Sequence, residues 1–241
     1  MWRLVKVLSV ALLVSACSHL ASDPVSDNEL DVLIKKSRIL YVEELSREIV
    51  IFDDVAFGLG IPLRKYLNDV QAVNGKTILD LGAGSGVLSL IALKHGAQKA
   101  VATDINPNAV ANAQYNAKRF GFEDKLSVRL VSLDNQGAYS VVGDNERFDF
   151  IVSNPPQHHE EPKTIYEYSY ADPKLAFLRS ILEGLKSHLT ENGKGVFALY
   201  DQGLRLARQI ADEQGLIVTV MLKTRNRNGI YYLVEIQRQS A

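Results

Sequence analysis

The chain has 241 residues, a formal net charge of −1 and 23% charged residues: enough length for one sizeable domain plus an extension, with no charge imbalance that demands a nucleic-acid partner. Its one cysteine excludes an internal disulfide. No internal repeat, low-complexity segment or long basic run interrupts the sequence.

Residues 1–16 read as a signal peptide. Arg3 and Lys6 precede an apolar run over residues 7–14, and Ser15, Ala16 and Cys17 close the segment with small side chains. The apolar run is too short to span a bilayer comfortably. Val14-Ser15-Ala16-Cys17 resembles the lipobox of bacterial lipoproteins. That resemblance implies acylation of Cys17, a tether to the lipid bilayer and a cell-envelope location, with Ser18 leaning towards the outer membrane. The alternative is an unprocessed terminus on a cytoplasmic protein. Residues 17–28, polar and carrying Pro24, read as a linker. Residues 29–76 form an N-terminal cap region. Leu30, Leu33, Ile34 and Leu40 predict an amphipathic helix over 29–44, then a short strand over 48–52 and a helix ending near Asn68.

Residues 77–86, TILDLGAGSG, predict a buried strand running into a tight turn, with Gly82, Gly84 and Gly86 at a spacing of two and a helix over 87–95. Such a turn, between the carboxyl end of a strand and the amino end of a helix, is where open parallel sheets bind ligands. A dinucleotide fingerprint needs a longer glycine spacing, and Asp80 beside the turn repels a pyrophosphate and favours a cation. A nicotinamide-dependent oxidoreductase is therefore the weaker alternative. Residues 99–103 predict a second strand ending at Asp104, an acid placed to accept both hydroxyls of a ribose. Asn106 and Pro107 suit the cap and first turn of a helix to Arg119.

A third strand over 126–131 is followed by Ser132 and Asp134, and a fourth over 148–153 ends in Asn154-Pro155-Pro156. The prolines stiffen this exit and remove N–H donors, leaving an edge rich in acceptors. The Asn154 side-chain oxygen and the Pro155 carbonyl can hold both hydrogens of an amino group, leaving its lone pair aimed at a methyl donor. His158, His159, Glu160 and Glu161 follow without a second Cys or His cluster at zinc-like spacing, so an exposed polar loop is expected and no metal. A helix over 173–188, a strand over 193–200, a helix over 203–214 and strands over 216–222 and 229–238 complete the chain, with nothing after Tyr200 that looks catalytic.

The glycine turn resembles motif I of the class I S-adenosylmethionine-dependent methyltransferases. From about 49 to 238 the chain resembles the N-methyltransferases bearing Asn-Pro-Pro after the fourth strand, which include release-factor glutamine and ribosomal-RNA guanine-N2 or adenine-N6 methyltransferases. The resemblance implies an α/β, Rossmann-like, doubly wound sheet of seven mostly parallel strands over 77–241, the class I methyltransferase fold, with an antiparallel last strand. It implies S-adenosyl-L-methionine as cofactor and, as acceptor, an amide or amine nitrogen of a protein, nucleic acid or small molecule. It assigns Asp80, Gly82, Ala83, Gly84 and Gly86 to the amino-acid end of the cofactor, Asp104 to its ribose, Ile105 and either Asp134 or Ser132 to its adenine, and Asn154, Pro155 and Pro156 to the acceptor. One departure stands out. The family places an aromatic residue after the two prolines, where stacking contributes about 1–3 kcal/mol per base, and this chain has Gln157. Tyr166, Tyr168 and Tyr170 are candidate substitutes, and Phe57 and Gly58 candidate cap residues. The departure keeps open a lipid-anchored binding protein that retained the cradle and lost the chemistry.

Overall fold

The structure is a computed structural model that describes residues 26–57, 60–226 and 229–239. The expected signal peptide, Cys17, most of the expected linker and Gly58 lie outside the described residues. Helix α1 (Asp27–Lys35) begins inside the expected linker, with Glu29 reaching back to accept the Ser26 N–H at 3.0 Å. It ends well short of residue 44. Strand β1 (Arg38–Val42) follows and pairs antiparallel with β2 (Arg47–Ile51), placing Ile39 opposite Val50 and Tyr41 opposite Glu48. The expected long helix is thus half helix and half strand, because the β-branched and aromatic residues from Ile39 onward fit a paired hairpin better than a free helical turn.

Beyond the hairpin come α2 (Ile61–Leu67), the short α3 (Val70–Val73), β3 (Thr77–Leu81), α4 (Val87–Lys94), β4 (Lys99–Asp104), α5 (Pro107–Phe120), β5 (Leu126–Leu130) and β6 (Phe148–Ser153). Then follow α6 (Ala176–His188), β7 (Leu189–Tyr200), α7 (Asp201–Gln214), β8 (Leu216–Asn226) and β9 (Gly229–Arg238). The expected helix over 173–188 is interrupted. Lys174 and Leu175 take left-handed φ values of 58° and 55°, so α6 starts at Ala176, its first N–H groups held by the Asp172 carboxylate. Strand β7 starts earlier than expected, since Phe148 pairs with Leu189 and Phe150 only with Lys194; residues 190–193 bulge out between them.

Seven strands form one sheet in the order β5-β4-β3-β6-β7-β9-β8, parallel except for β9, which runs antiparallel to both neighbours. Alternation along each strand sorts the core into two layers. Ile78, Val196 and Ala198 pack with α2, α4 and α5, while Leu79, Phe197 and Leu199 pack with α6 and α7. Residues 87–93 of α4 are buried on every side, as its all-round hydrophobicity requires, because the N-terminal hairpin region covers the face that would otherwise meet solvent. That cover is attached by polar contacts. Asn112 and Asn116 of α5 accept the N–H groups of Phe52 and Val50 at 3.0 Å, and both donate to the Val50 carbonyl. Glu44 and Arg64, both nearly buried, pair at 2.9 Å. Every parallel strand therefore delivers its carboxyl end to the edge under this cover, and the site lies there.

Candidate functional site

The turn after β3 is fixed from the neighbouring strand. The N–H groups of Gly82 and Ala83 donate to the Thr103 carbonyl at 2.9 and 3.0 Å, and the Gly84 N–H donates to Asp104 Oδ2 at 2.8 Å. These donors are spent inside the protein, so the turn offers no nest for a pyrophosphate. Gly84 and Gly86 have φ of +55° and +78°. A Cβ at Gly84 would stand 2.7 Å from the Ala56 carbonyl oxygen, and one at Gly86 would stand 2.9 Å from Ala113 Cβ, so both positions need glycine for space as well as for backbone freedom.

Two acids flank the turn. Asp80 is wholly buried; Oδ2 accepts from Ser89 N and Oγ at 3.1 and 2.8 Å, whereas Oδ1 has no partner. Burial pushes its carboxyl up to about 7, against the Ser89 bonds that pull it down and with the Asp104 charge adding to the rise. Asp104 is likewise raised by burial, opposed by the backbone N–H groups of Asn106, Gly84 and Ile105. Oδ2 takes the Gly84 N–H at 2.8 Å and Oδ1 the Asn106 N–H at 2.9 Å, and the residue lines the cavity. Asn106 caps α5 by accepting the Asn108 N–H and reaches over to the Asp54 carbonyl, locking this strand end to the cover.

The cavity above these groups has a volume of 1330 Å³, larger than the roughly 300–1,000 Å³ of ordinary small-molecule pockets and sufficient for two reactants. Gly82, Ala83, Gly84, Asp104 and Ile105 line it together with Asn154, Pro155 and Pro156. Ser132 and Asp134 do not reach the wall. The Ser132 hydroxyl accepts the Asp134 N–H in a local turn, and Val131, Gln136 and Gly137 form the surface there instead. Tyr168 lines the cavity within 3.4 Å of the Gln136 amide, and Tyr170 also lines it, while Tyr166 packs edge-on against Tyr170. Phe57 lies in the wall as expected of the cap region.

Gln157 has a structural task. Its amide nitrogen donates to the Ala198 carbonyl at 3.1 Å, and its amide oxygen accepts the Tyr200 N–H at 2.8 Å. Gly203 leaves the room in which this side chain lies. The residue after the prolines is thus a brace between the exit of β6 and the end of β7. His158 packs edge-on against Tyr170, and the His159 ring bonds the Gln202 side chain. Among the described residues no three such side chains group around a possible metal. Sequence reasoning missed the carboxyl-terminal hairpin: Leu222, Thr224, Arg225 and Tyr231 all line the cavity, brought there by strand order rather than by any local motif.

These features fit a cofactor carrying an ammonium group and a ribose. Asp80 and Gly86 do not line the cavity: Asp80 is wholly buried on β3 just before the turn, its unpartnered Oδ1 complementary in charge to a cation, and the spent donors of the turn match the lack of a phosphate. Comparison with known proteins agrees. The family described as ribosomal protein L11 methyltransferase (PrmA) matches residues 63–155. The ribosomal protein L11 methyltransferase of Salmonella arizonae is 48% identical over 58 residues, 24% of this chain and 20% of that protein. The chain thus matches about a fifth of the length of these curated relatives. The crystal structure of a ribosomal protein L11 methylase from Lactobacillus delbrueckii subsp. bulgaricus superposes with a TM-score of 0.58 at 25% identity, covering 79% of this chain and 84% of that one. A 16S rRNA N2 G1207 methyltransferase of T. thermophilus, solved with AdoMet and guanosine, shares the fold with a TM-score of 0.61 at 16% identity, over 84% of this chain and 51% of that one. In fold the chain resembles solved methyltransferases, and over residues 63–155 it is similar to the ribosomal protein L11 methyltransferase family.

Proposed function

We propose that the protein transfers a methyl group from S-adenosyl-L-methionine to an amide or amine nitrogen. The observation that carries this reading is the convergence, in one cavity, of the glycine turn and Asp104 with Asn154-Pro155-Pro156. Asp80 and residues 82–84 would hold the amino-acid end of the cofactor, Asp104 its ribose, and Ile105 with Val131, Gln136 and Gly137 its base. When bound, the cofactor supplies a methyl group made electrophilic by its sulfonium.

The protein's own contribution is orientation. Asn154 Oδ1 and the Pro155 carbonyl accept the hydrogens of the acceptor nitrogen, and the rigid diproline exit holds both oxygens in register. Acceptors placed where positive charge develops on nitrogen favour the transition state over the bound reactants. The name of the relatives points to a ribosomal protein as their acceptor; the matched segment contains the cofactor wall and the Asn154-Pro155 exit, so protein and RNA acceptors are both tested. From residues 1–17 we also infer an envelope location with acylation at Cys17.

The test uses the purified chain, S-adenosylhomocysteine titrated by calorimetry, and a labelled methyl donor incubated with cell extract that is then split into protein and RNA. Wild type should bind the ligand and label one fraction. Asn154→Ala should keep its affinity within about twofold and lose about 10²-fold or more in rate, the scale of one removed transition-state contact. Equal labelling by the variant would refute the role of Asn154, and no binding by the wild type would refute the reading as a whole.

A further inference from the structure

We propose that Tyr231, on β9, is a positioning residue for Asn154: its hydroxyl fixes which end of the Asn154 carboxamide faces the acceptor. The proposal deepens the methyl-transfer reading and rests on it. Tyr231 is 7% exposed, lines the cavity and directs its hydroxyl at Asn154 Oδ1 over 3.4 Å. This is longer than the roughly 2.7–2.8 Å usual for such bonds, and contacts at catalytic groups tighten when the reactants enter.

The orientation of the carboxamide decides what the site can bind. Rotated by half a turn, it presents an NH₂ donor where the proposed chemistry needs an acceptor, and the hydrogens on the acceptor nitrogen would meet hydrogens. A hydroxyl donating to Oδ1 uses one of two lone pairs, leaving the second for the acceptor N–H. Burial raises the Tyr231 phenol far above its ordinary value, with the neighbouring Tyr200 adding to the rise, so it keeps its proton and stays a donor. Gly60 packs beside the contact: a Cβ there would stand 3.4 Å from Tyr231 Oη and 3.5 Å from Asn154 Cγ, at ordinary van der Waals distance.

The ring is itself held in place. Tyr200 meets it edge-on, centroids 5.6 Å apart at 64°, and the Tyr200 backbone is the group that Gln157 grips. The aromatic surface beside Asn154 has therefore moved. Where the resemblance sets an aromatic residue after the prolines, this chain uses that position as a brace and furnishes the aromatic wall from β7 and β9.

The test compares Tyr231→Phe with wild type and with Tyr232→Phe, which removes a hydroxyl bonded elsewhere, to Asp201. In asparagine-labelled protein the side-chain amide signals of Asn154, identified by their loss in Asn154→Asp, should shift or broaden in Tyr231→Phe alone. Affinity for S-adenosylhomocysteine should stay within about twofold while labelling of the acceptor fraction slows about tenfold, a loss in kcat with the donor KM unchanged. Unchanged Asn154 amide signals overturn the proposal. So does a joint loss of ligand affinity and rate, which would mark Tyr231 as a support of the fold. If wild type labels no fraction, methyl transfer fails as a reading, while the amide signals still decide whether Tyr231 orients Asn154.

Discussion

On the proposed reading, Asp80 couples cofactor binding to protons. Its carboxyl lies near 7 in the folded protein, raised by burial from the usual 3.8, so below neutrality much of the site stands protonated. An ammonium beside the free Oδ1 favours the ionised form. Affinity for S-adenosylhomocysteine should therefore rise as pH increases through about 7, with release of a proton on binding. Calorimetry at one pH in two buffers of different ionisation enthalpy reads that proton directly; equal heats in both would contradict the role given to Asp80. The same shift acts on stability in the opposite sense. Because the folded value lies above the unfolded one, the stabilisation from Asp80 is complete below about 4 and is lost as pH rises through about 7. The place of Asp104 and Asn154 on the cavity wall is legible because each sits at a strand end beside a turn whose chemistry is local. The absence of Ser132 and Asp134 from that wall is not, since the turn after β5 closes on itself and leaves the wall to Gln136 and Gly137.

The strands and helices that alternate through the sheet follow from periodicity, and the exceptions have physical causes. The run after Lys35 carries residues that serve either a helix or a hairpin, and only the partner strand β2 decides between them. Strand β2 in turn takes its outer hydrogen bonds from two side chains of α5, a substitute for a neighbouring strand that no local pattern announces. Asn116 is wholly buried and accepts the Val50 N–H, so Asn116→Ala leaves that donor unpaired away from water. Urea unfolding should show a loss of about 1–3 kcal/mol with little change in slope. A change within error would mean that the cover is held by apolar packing alone. Tyr231 was illegible for a related reason: it stands 77 residues from Asn154, and strand order alone makes them neighbours.

As a whole molecule the chain joins a folded methyltransferase-type body to an amino terminus of different character, and the seven-stranded sheet expected from the resemblance is the one found. Among the described residues no helix is long and apolar enough to cross a membrane, and the proposed tether is the acylated Cys17. Intact protein should partition with membranes, and Cys17→Ser should release it or leave it misprocessed; an unmodified Met1 found by mass spectrometry in the soluble cytoplasmic fraction would end that proposal while leaving methyl transfer untouched. The placement of β9 sets an order of events during synthesis. The strands that carry the glycine turn, Asp104 and Asn154 leave the ribosome first and can assemble as parallel neighbours, but β7 keeps a bare edge until the last hairpin slots β9 between it and β8. A nascent chain can thus set out the stretches of wall that carry Gly82, Asp104 and Asn154 while the stretch from β8 and β9, with Leu222, Thr224, Arg225 and Tyr231, is still missing, and the cavity is complete only when the final strand is in place.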